Sequence, residues 1–205
     1  MALAVPIPGS HTTIHPVPLA TAIPNDPYNH VKTNDMLLIQ FLLCILLTGI
    51  YDIQITSIDG TAVSMSKFRQ QKILLVNIAT GSPRVGQLGE LQQLHQQYGD
   101  SLVIIAFPSE SFGHEARTNE EIARFCRDNW QVGFLLAAKD PVTGTAQQPL
   151  YHWLTTLADN GVNNTAPAGD FHKFLIGKEG NIIGIFAPSV SPLDSTLINA
   201  IKDTQ

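Results

Sequence analysis

From Tyr51 onward the chain alternates between short apolar runs and helical stripes. In "YDIQITSIDGTAVSM", Ile53 and Ile55 alternate with polar neighbours and are followed by Asp59-Gly60, a strong short-range hairpin signal. "KILLVNIA" (72–79) and "SLVIIAFP" (101–108) are continuous apolar runs, as strands buried on both faces should be, and Pro108 closes the second. Between them, Leu88, Leu91, Leu94 and Tyr98 recur at helical spacing over 85–98, with Gln on the opposite face. "TNEEIARFCRDN" opens with Thr118 three residues before Glu121, the spacing of a capping box, which predicts a helix. "GFLLA" predicts a short strand, "QPLYHWLTTL" a helix, "FHKFLIGKEGNIIGIF" a hairpin turning at Glu179-Gly180-Asn181, and "SPLDSTLINAI" a closing helix. This order predicts an α/β fold: a central mixed β-sheet flanked by helices and preceded by an N-terminal β-hairpin.

The first 49 residues follow neither period. Residues 1–35 hold six of the thirteen prolines, Pro6, Pro8, Pro16, Pro18, Pro24 and Pro27, and read as an extended or disordered leader. If Met36 is the true start, they lie outside the protein. "MLLIQFLLCILLTGI" (36–50) is interrupted only by Gln40, Thr48 and Gly49. A comfortable bilayer crossing needs about 20 apolar residues, so the run fits the h-region of a signal peptide. Only His30 and Lys32 precede it closely, which makes a thin basic flank. Bulky Leu43 before Cys44 does not suit a lipoprotein site. The expectation is therefore an exported protein, periplasmic or extracellular, or one associated with the membrane, transiently or as an anchor, through 36–49. The alternatives are a buried core helix and a cytoplasmic location. The division expected is a leader (1–35), a hydrophobic segment (36–49) and one domain (50–205).

Composition narrows the function classes. With 205 residues, 44% hydrophobic and 14% charged, the chain closes one sizeable core. A net charge of -5 without any Lys/Arg cluster gives no footprint for nucleic acid. Cys44 and Cys126 are too far apart in sequence and setting to suggest a disulfide framework or a zinc site, and no cofactor or metal is expected.

The candidate chemistry sits in "NIATGSPRVGQLGEL" (77–91), where a buried strand stops at a small-residue turn and a helix begins. The group offered there is Ser82. The order of elements is the thioredoxin-like plan, and residues 50–203 resemble the glutathione peroxidase family. The resemblance is carried in order by "IYDIQITSIDGTAVSMSKF", "KILLVNIAT", "LVIIAFPSESFG", "TNEEI", "PLYHWL", "FHKFLIGKEG" and "FAPSVSPL". It implies thiol-dependent reduction of hydroperoxides in response to oxidative stress, with glutathione or thioredoxin as reductant.

The family's reactive cysteine or selenocysteine, in N-V-A-S-x-C-G, falls on Ser82 when 75–94 is aligned without a gap. The assisting Gln of F-P-x-N-Q-F-G falls on Ser111, and the Trp-Asn pair of W-N-F-x-K-F-L falls on Gly169-Asp170. All four positions are substituted. A thiolate is what attacks peroxide, and a serine hydroxyl has no sulfenic stage through which to cycle. The expectation is a family member whose peroxidase activity is lost or much reduced, with a cleft made acidic by Asp170, whose like charge would disfavour a restored thiolate.

Three alternatives stay open. An active peroxidase would use Cys126, which stands where thioredoxin-dependent members carry a resolving cysteine, or another group; a small residue packed in a helix is the other reading of Cys126. An exported non-catalytic module would bind a peptide or partner. A Ser82 hydrolase lacks G-x-S-x-G, is followed by Pro83, which has no N–H for an oxyanion hole, and has no triad spacing from His95, His114, His152 or His172. Arg84 reads as a solvated surface residue or a mild positive charge at the cleft, and Trp130 and Trp153 read as packing residues.

Overall fold

The computed structural model describes residues 49–203, so the leader and nearly all of the hydrophobic segment expected at 36–49 lie outside the described residues. A 3-10 turn at Ile50–Asp52 leads into a hairpin of β1 (Gln54–Thr56) and β2 (Ala62–Ser64), antiparallel with Ile55 opposite Val63. The Asp59-Gly60 signal marks the right place but a longer loop than a two-residue turn. Ser57 to Thr61 lie outside the ladder, Gly60 adopts φ +87, and the Asp59 carboxylate accepts from Thr61 N–H at 3.0 Å.

After a second 3-10 turn (Met65–Phe68), β3 (Lys72–Ile78), α1 (Gln87–Tyr98), β4 (Leu102–Pro108), α2 (Asn119–Trp130) and β5 (Leu135–Leu136) alternate along the chain. They are followed by α3 (Pro149–Leu154), α4 (Leu157–Asn160), β6 (Lys173–Ile176), β7 (Ile182–Phe186) and α5 (Ser195–Lys202). The main sheet has the order β5-β4-β3-β6-β7. β3 is parallel to β4, with Leu74 opposite Ile104, and antiparallel to β6, with Leu75 opposite Phe174. This is the mixed, thioredoxin-like sheet expected from the order of elements.

The two-residue period of the strands divides the core. Ile73, Leu75, Ile105, Phe107 and Phe174 pack with Ile50, Met65, Leu150 and Tyr151, so the hairpin region and α3 cover one face. Leu74, Val76, Ile78, Ile104 and Leu175 pack with Leu88, Leu91, Ile122, Cys126, Leu197 and Ile201, so α1, α2 and α5 cover the other. Every residue of β3 is buried, which is why its sequence is a continuous apolar run.

Local chemistry sets the ends. The capping box at Thr118 forms as the spacing predicts: its hydroxyl accepts from Glu121 N–H at 3.4 Å and its own N–H donates to Glu121 Oε2 at 2.9 Å. The helix expected through "QPLYHWLTTL" stops at Leu154, because the Thr155 hydroxyl donates back to the Tyr151 carbonyl at 2.8 Å and a separate turn begins at Leu157. The β6–β7 turn needs Gly180: at φ +87, a Cβ there would lie 2.6 Å from the Tyr51 ring. Buried Lys72, where β3 begins, donates to the carbonyls of Ala200, Ile201 and Asp203 and so fastens the end of α5. Among the described residues no helix is long and apolar enough to cross a membrane.

Candidate functional site at the end of the first central strand

β3 ends at Ile78, and residues 79–86 turn the chain into α1. Ser82 lies on this turn and is 3% exposed. The turn consumes its own donors. Thr80 N–H goes to Glu115 Oε2 at 2.6 Å, Gly81 N–H to the His114 carbonyl at 3.0 Å, and Ser82 N–H to the Ala79 carbonyl at 3.2 Å. Pro83 has no N–H, Arg84 N–H goes to Ser82 Oγ at 3.3 Å, and Val85 N–H to the Ser82 carbonyl at 3.0 Å. From Thr80 to Val85 every backbone donor has an acceptor within the protein. A thiolate at position 82 would take over the Arg84 N–H, which already points at Ser82 Oγ, and would find the other N–H groups of the turn engaged elsewhere.

The 109–117 loop packs against this turn. Glu115, 2% exposed, takes Thr80 N–H and, at 2.8 Å, the Thr80 hydroxyl, while Arg117 Nη1 donates to the same hydroxyl oxygen at 2.6 Å. Ser111, in the same loop, is turned to other work: its Oγ accepts from Ser109 Oγ at 2.9 Å and from Val142 N–H at 3.0 Å. The residue of this loop that reaches both the Ser82 turn and the 169–171 segment is His114.

Residues 169–171 are tied to the end of β3 through Asn77. Its Nδ2 donates to the Gly169 carbonyl at 2.9 Å, and its carbonyl accepts from Phe171 N–H at 2.6 Å. Phe171 is held at φ +67, a conformation that side chains other than glycine rarely adopt, while fully buried. Asp170, 3% exposed, meets His114 Nδ1 through Oδ2 at 2.6 Å. A carboxylate only accepts, so Nδ1 carries the proton. The structure thus brings the Ser82 turn and Asp170 together through His114, and directs Ser111 elsewhere.

The acceptors here are in excess. Asp170 Oδ1, Asn77 Oδ1 and Gln87 Oε1 are buried without a partner. The amides cannot simply be turned over, because the Nδ2 of Asn77 and the Nε2 of Gln87 each face a carbonyl, those of Gly169 and of Pro188 (2.9 Å). Two of these acceptors are neutral amide oxygens, and the Asp170 charge is not bare, since the His114 imidazole covers one of its oxygens.

Other singled-out residues fall away from this centre. Cys126 is fully buried on α2, and burial, with a smaller push from Glu115, raises its thiol to about 12. Arg84 is exposed, and the rings of Trp130 and Trp153 pack on the two core clusters. His95 stacks edge-on to Phe134, His152 pairs with Asp159 at 3.4 Å, and burial lowers His172 to about 4. Among the described residues no group of three or more His, Cys, Asp or Glu could hold a metal ion. Sequence reasoning missed His114 as Asp170's partner: 56 positions separate them, and no local spacing signals the pair.

The family model described as glutathione peroxidase matches residues 50–155. The glutathione peroxidase homolog BsaA of Staphylococcus epidermidis is 35% identical over 146 residues, 70% of this chain and 92% of the relative. The probable glutathione peroxidase 8-A of Xenopus laevis is 30% identical over 206 residues, 92% of this chain and 95% of the relative. Among solved structures, Trgpx in apo form aligns with a TM-score of 0.57 at 25% identity, covering 76% of this chain and 97% of that one.

Proposed function

Because the chain belongs to the glutathione peroxidase family, we propose that it keeps the family fold while its capacity to reduce hydroperoxides is lost or much reduced. The observation that carries this reading is the arrangement at Ser82: a hydroxyl instead of a thiol, on a turn whose backbone donors from 80 to 85 are all engaged and of which only the Arg84 N–H is directed at the position-82 side chain. A thiolate nucleophile needs donors or positive charge around it, and the turn aims one backbone N–H, that of Arg84, at the position-82 side chain.

The family's partners are a hydroperoxide and a thiol reductant, and this chain would meet them only as an active peroxidase. Cys126 does not supply that route: a thiol raised to about 12 and sealed in the core is almost wholly protonated at neutral pH. A Ser82 hydrolase has an acid–imidazole pair nearby in buried Asp170 and exposed His114, but that imidazole makes no hydrogen bond to Ser82 and the turn offers no free N–H for an oxyanion hole. The reading that remains is a non-catalytic module on the peroxidase fold, exported if the 36–49 run acts as its signal.

The test is to treat the folded protein with excess hydroperoxide and map oxidation by peptide mass spectrometry. No sulfenic acid is expected at Cys126. A sulfenic acid trapped there in the native state, on the timescale of the family's turnover, would overturn the reading.

A further inference from the structure

The two edges of the main sheet are finished differently. At β5 the hairpin lies along the edge: Ile58 N–H donates to the Leu136 carbonyl and Ala138 N–H to the Thr56 carbonyl, each at 2.8 Å, and Ser57 bridges Ala137. At the opposite edge β7 has one neighbour among the described residues, β6. Residues 182–186 carry neither a charge nor a proline, two of the devices that keep a further strand away from an edge. Ile183 and Ile185, 39% and 41% exposed, are large apolar residues that the described fold leaves uncovered.

The bonds made by β6 show which backbone groups of β7 turn outward. Asn77 N–H donates to the His172 carbonyl on the β3 side, and Gly177 N–H to the Asn181 carbonyl on the β7 side. Successive residues of an antiparallel ladder face opposite neighbours, so 172, 174 and 176 face β3 while 173, 175 and 177 face β7. Phe186 and Gly184, opposite Lys173 and Leu175, therefore bond to β6, and Ile185 between them turns its N–H and C=O away from the sheet. The shift of register leaves Ile183 as an extra residue between the partners of Ile176 and Leu175, so the regular edge runs from Gly184 onward. Its two faces differ. Ile185 is exposed on one, and on the other the Phe186 ring folds over Gly184, where a Cβ would lie 2.7 Å from it.

This edge complements itself. When two β7 strands pair antiparallel about a twofold axis at Ile185, the two Ile185 residues exchange both backbone bonds and lie side by side. Each Gly184 then lies opposite the Phe186 of the other copy, small against large. A chain of net charge -5 repels its copies, and this neutral strip is where they can meet. Residues 187–193, which follow it, are uncharged as well, so the Lys178-Glu179 turn of one copy meets no like charge on the other.

We infer that two copies of this chain associate through β7, antiparallel about Ile185, and so join their sheets edge to edge. A ladder this short falls below the about 1,200 Å² at which stable interfaces begin, so the dimer is weak and reversible. Dimerisation of this kind is independent of the proposed loss of peroxide chemistry, since no residue of β7 hydrogen-bonds the Ser82 turn.

The experiment is sedimentation equilibrium of the full chain from about 5 to about 500 µM, beside Ile185→Lys and Ile185→Glu, each alone and mixed in equal amounts. Ile185 is exposed, so both variants should keep the circular dichroism of the unmodified chain. Expected are a monomer–dimer equilibrium with Kd on the order of 100 µM, association about tenfold weaker for each variant alone, where like charges face each other, and recovery in the mixture, where lysine faces glutamate. Hydrogen exchange at the Ile185 amide should slow as concentration rises, while that at the Gly184 amide, bonded to β6, should not change. A monomer throughout the range, undiminished association of each variant alone, a mixture that stays monomeric, or Ile185 exchange independent of concentration would overturn the inference.

Discussion

The His114 imidazole meets the Asp170 carboxylate at 2.6 Å, bridging two segments 56 positions apart, with the acid 3% exposed and the imidazole open to solvent. In this pair the buried group is the one that cannot do without a partner. His114→Ala leaves a buried carboxylate without its donor, and a loss of about 1–3 kcal/mol is expected in urea denaturation. Asp170→Asn keeps an oxygen for the imidazole N–H and should lose less. Equal stability of His114→Ala and the unmodified chain would show that the imidazole does not hold Asp170.

Restoring one atom should not restore the chemistry. Ser82→Cys places a thiol at a position 3% exposed, where the Arg84 N–H is the one backbone donor of the turn aimed at it, so burial should hold its pKa above the reference of about 8.5 and its peroxide reactivity should be low. Adding Ser111→Gln, Gly169→Trp and Asp170→Asn should recover more activity than Ser82→Cys alone. A Cβ at Gly169 meets only Pro188, at 3.6 Å, but the backbone there has φ +156, so the tryptophan enters with backbone strain and the combined variant should recover only part of the activity. Thiolate absorbance against pH and hydroperoxide consumption check both statements.

The Cys126 thiol should resist modification in the folded state. Iodoacetamide at pH 8, read by mass spectrometry on the peptide that contains Cys126, should label it only after denaturant is added, because burial both blocks the reagent and holds the thiol near 12. Rapid native labelling would place it at an accessible surface.

His172 gives stability a pH dependence of fixed sign. Burial lowers its pKa from 6.5 to about 4, so between those values the unfolded chain binds more protons than the folded one. Stability from this group is full above pH 6.5 and is lost as pH falls towards 4. Chemical denaturation of His172→Phe should show a flatter slope across that window, and an identical slope would contradict the assignment.

Much of the fold was legible because burial and period coincide. β3 reads as a continuous apolar run since both its faces are covered, and the stripe Leu88, Leu91, Leu94 reads as a helix since one face of α1 is. Thr155 stopped a helix the pattern would have continued, because a hydroxyl bonding back along the chain leaves no mark in apolar spacing. At the site, the residue types at 82, 111, 169 and 170 were visible. The His114–Asp170 pair and the exhaustion of donors on the 80–85 turn were not. The pair, and the Thr80 and Gly81 bonds to Glu115 and His114, arise between segments distant in sequence, while the bonds of Ser82, Arg84 and Val85 depend on a turn conformation that apolar spacing does not reveal.

The central claim is that this member of the glutathione peroxidase family has lost most or all of the family's peroxide chemistry. Steady-state hydroperoxide turnover by the unmodified full chain, with glutathione and with thioredoxin as alternative reductants and with Cys126→Ser alongside, tests it most directly. The account predicts rates at or near the uncatalysed background for both reductants and no difference between the chain and Cys126→Ser. Robust turnover that persists in Cys126→Ser would contradict it.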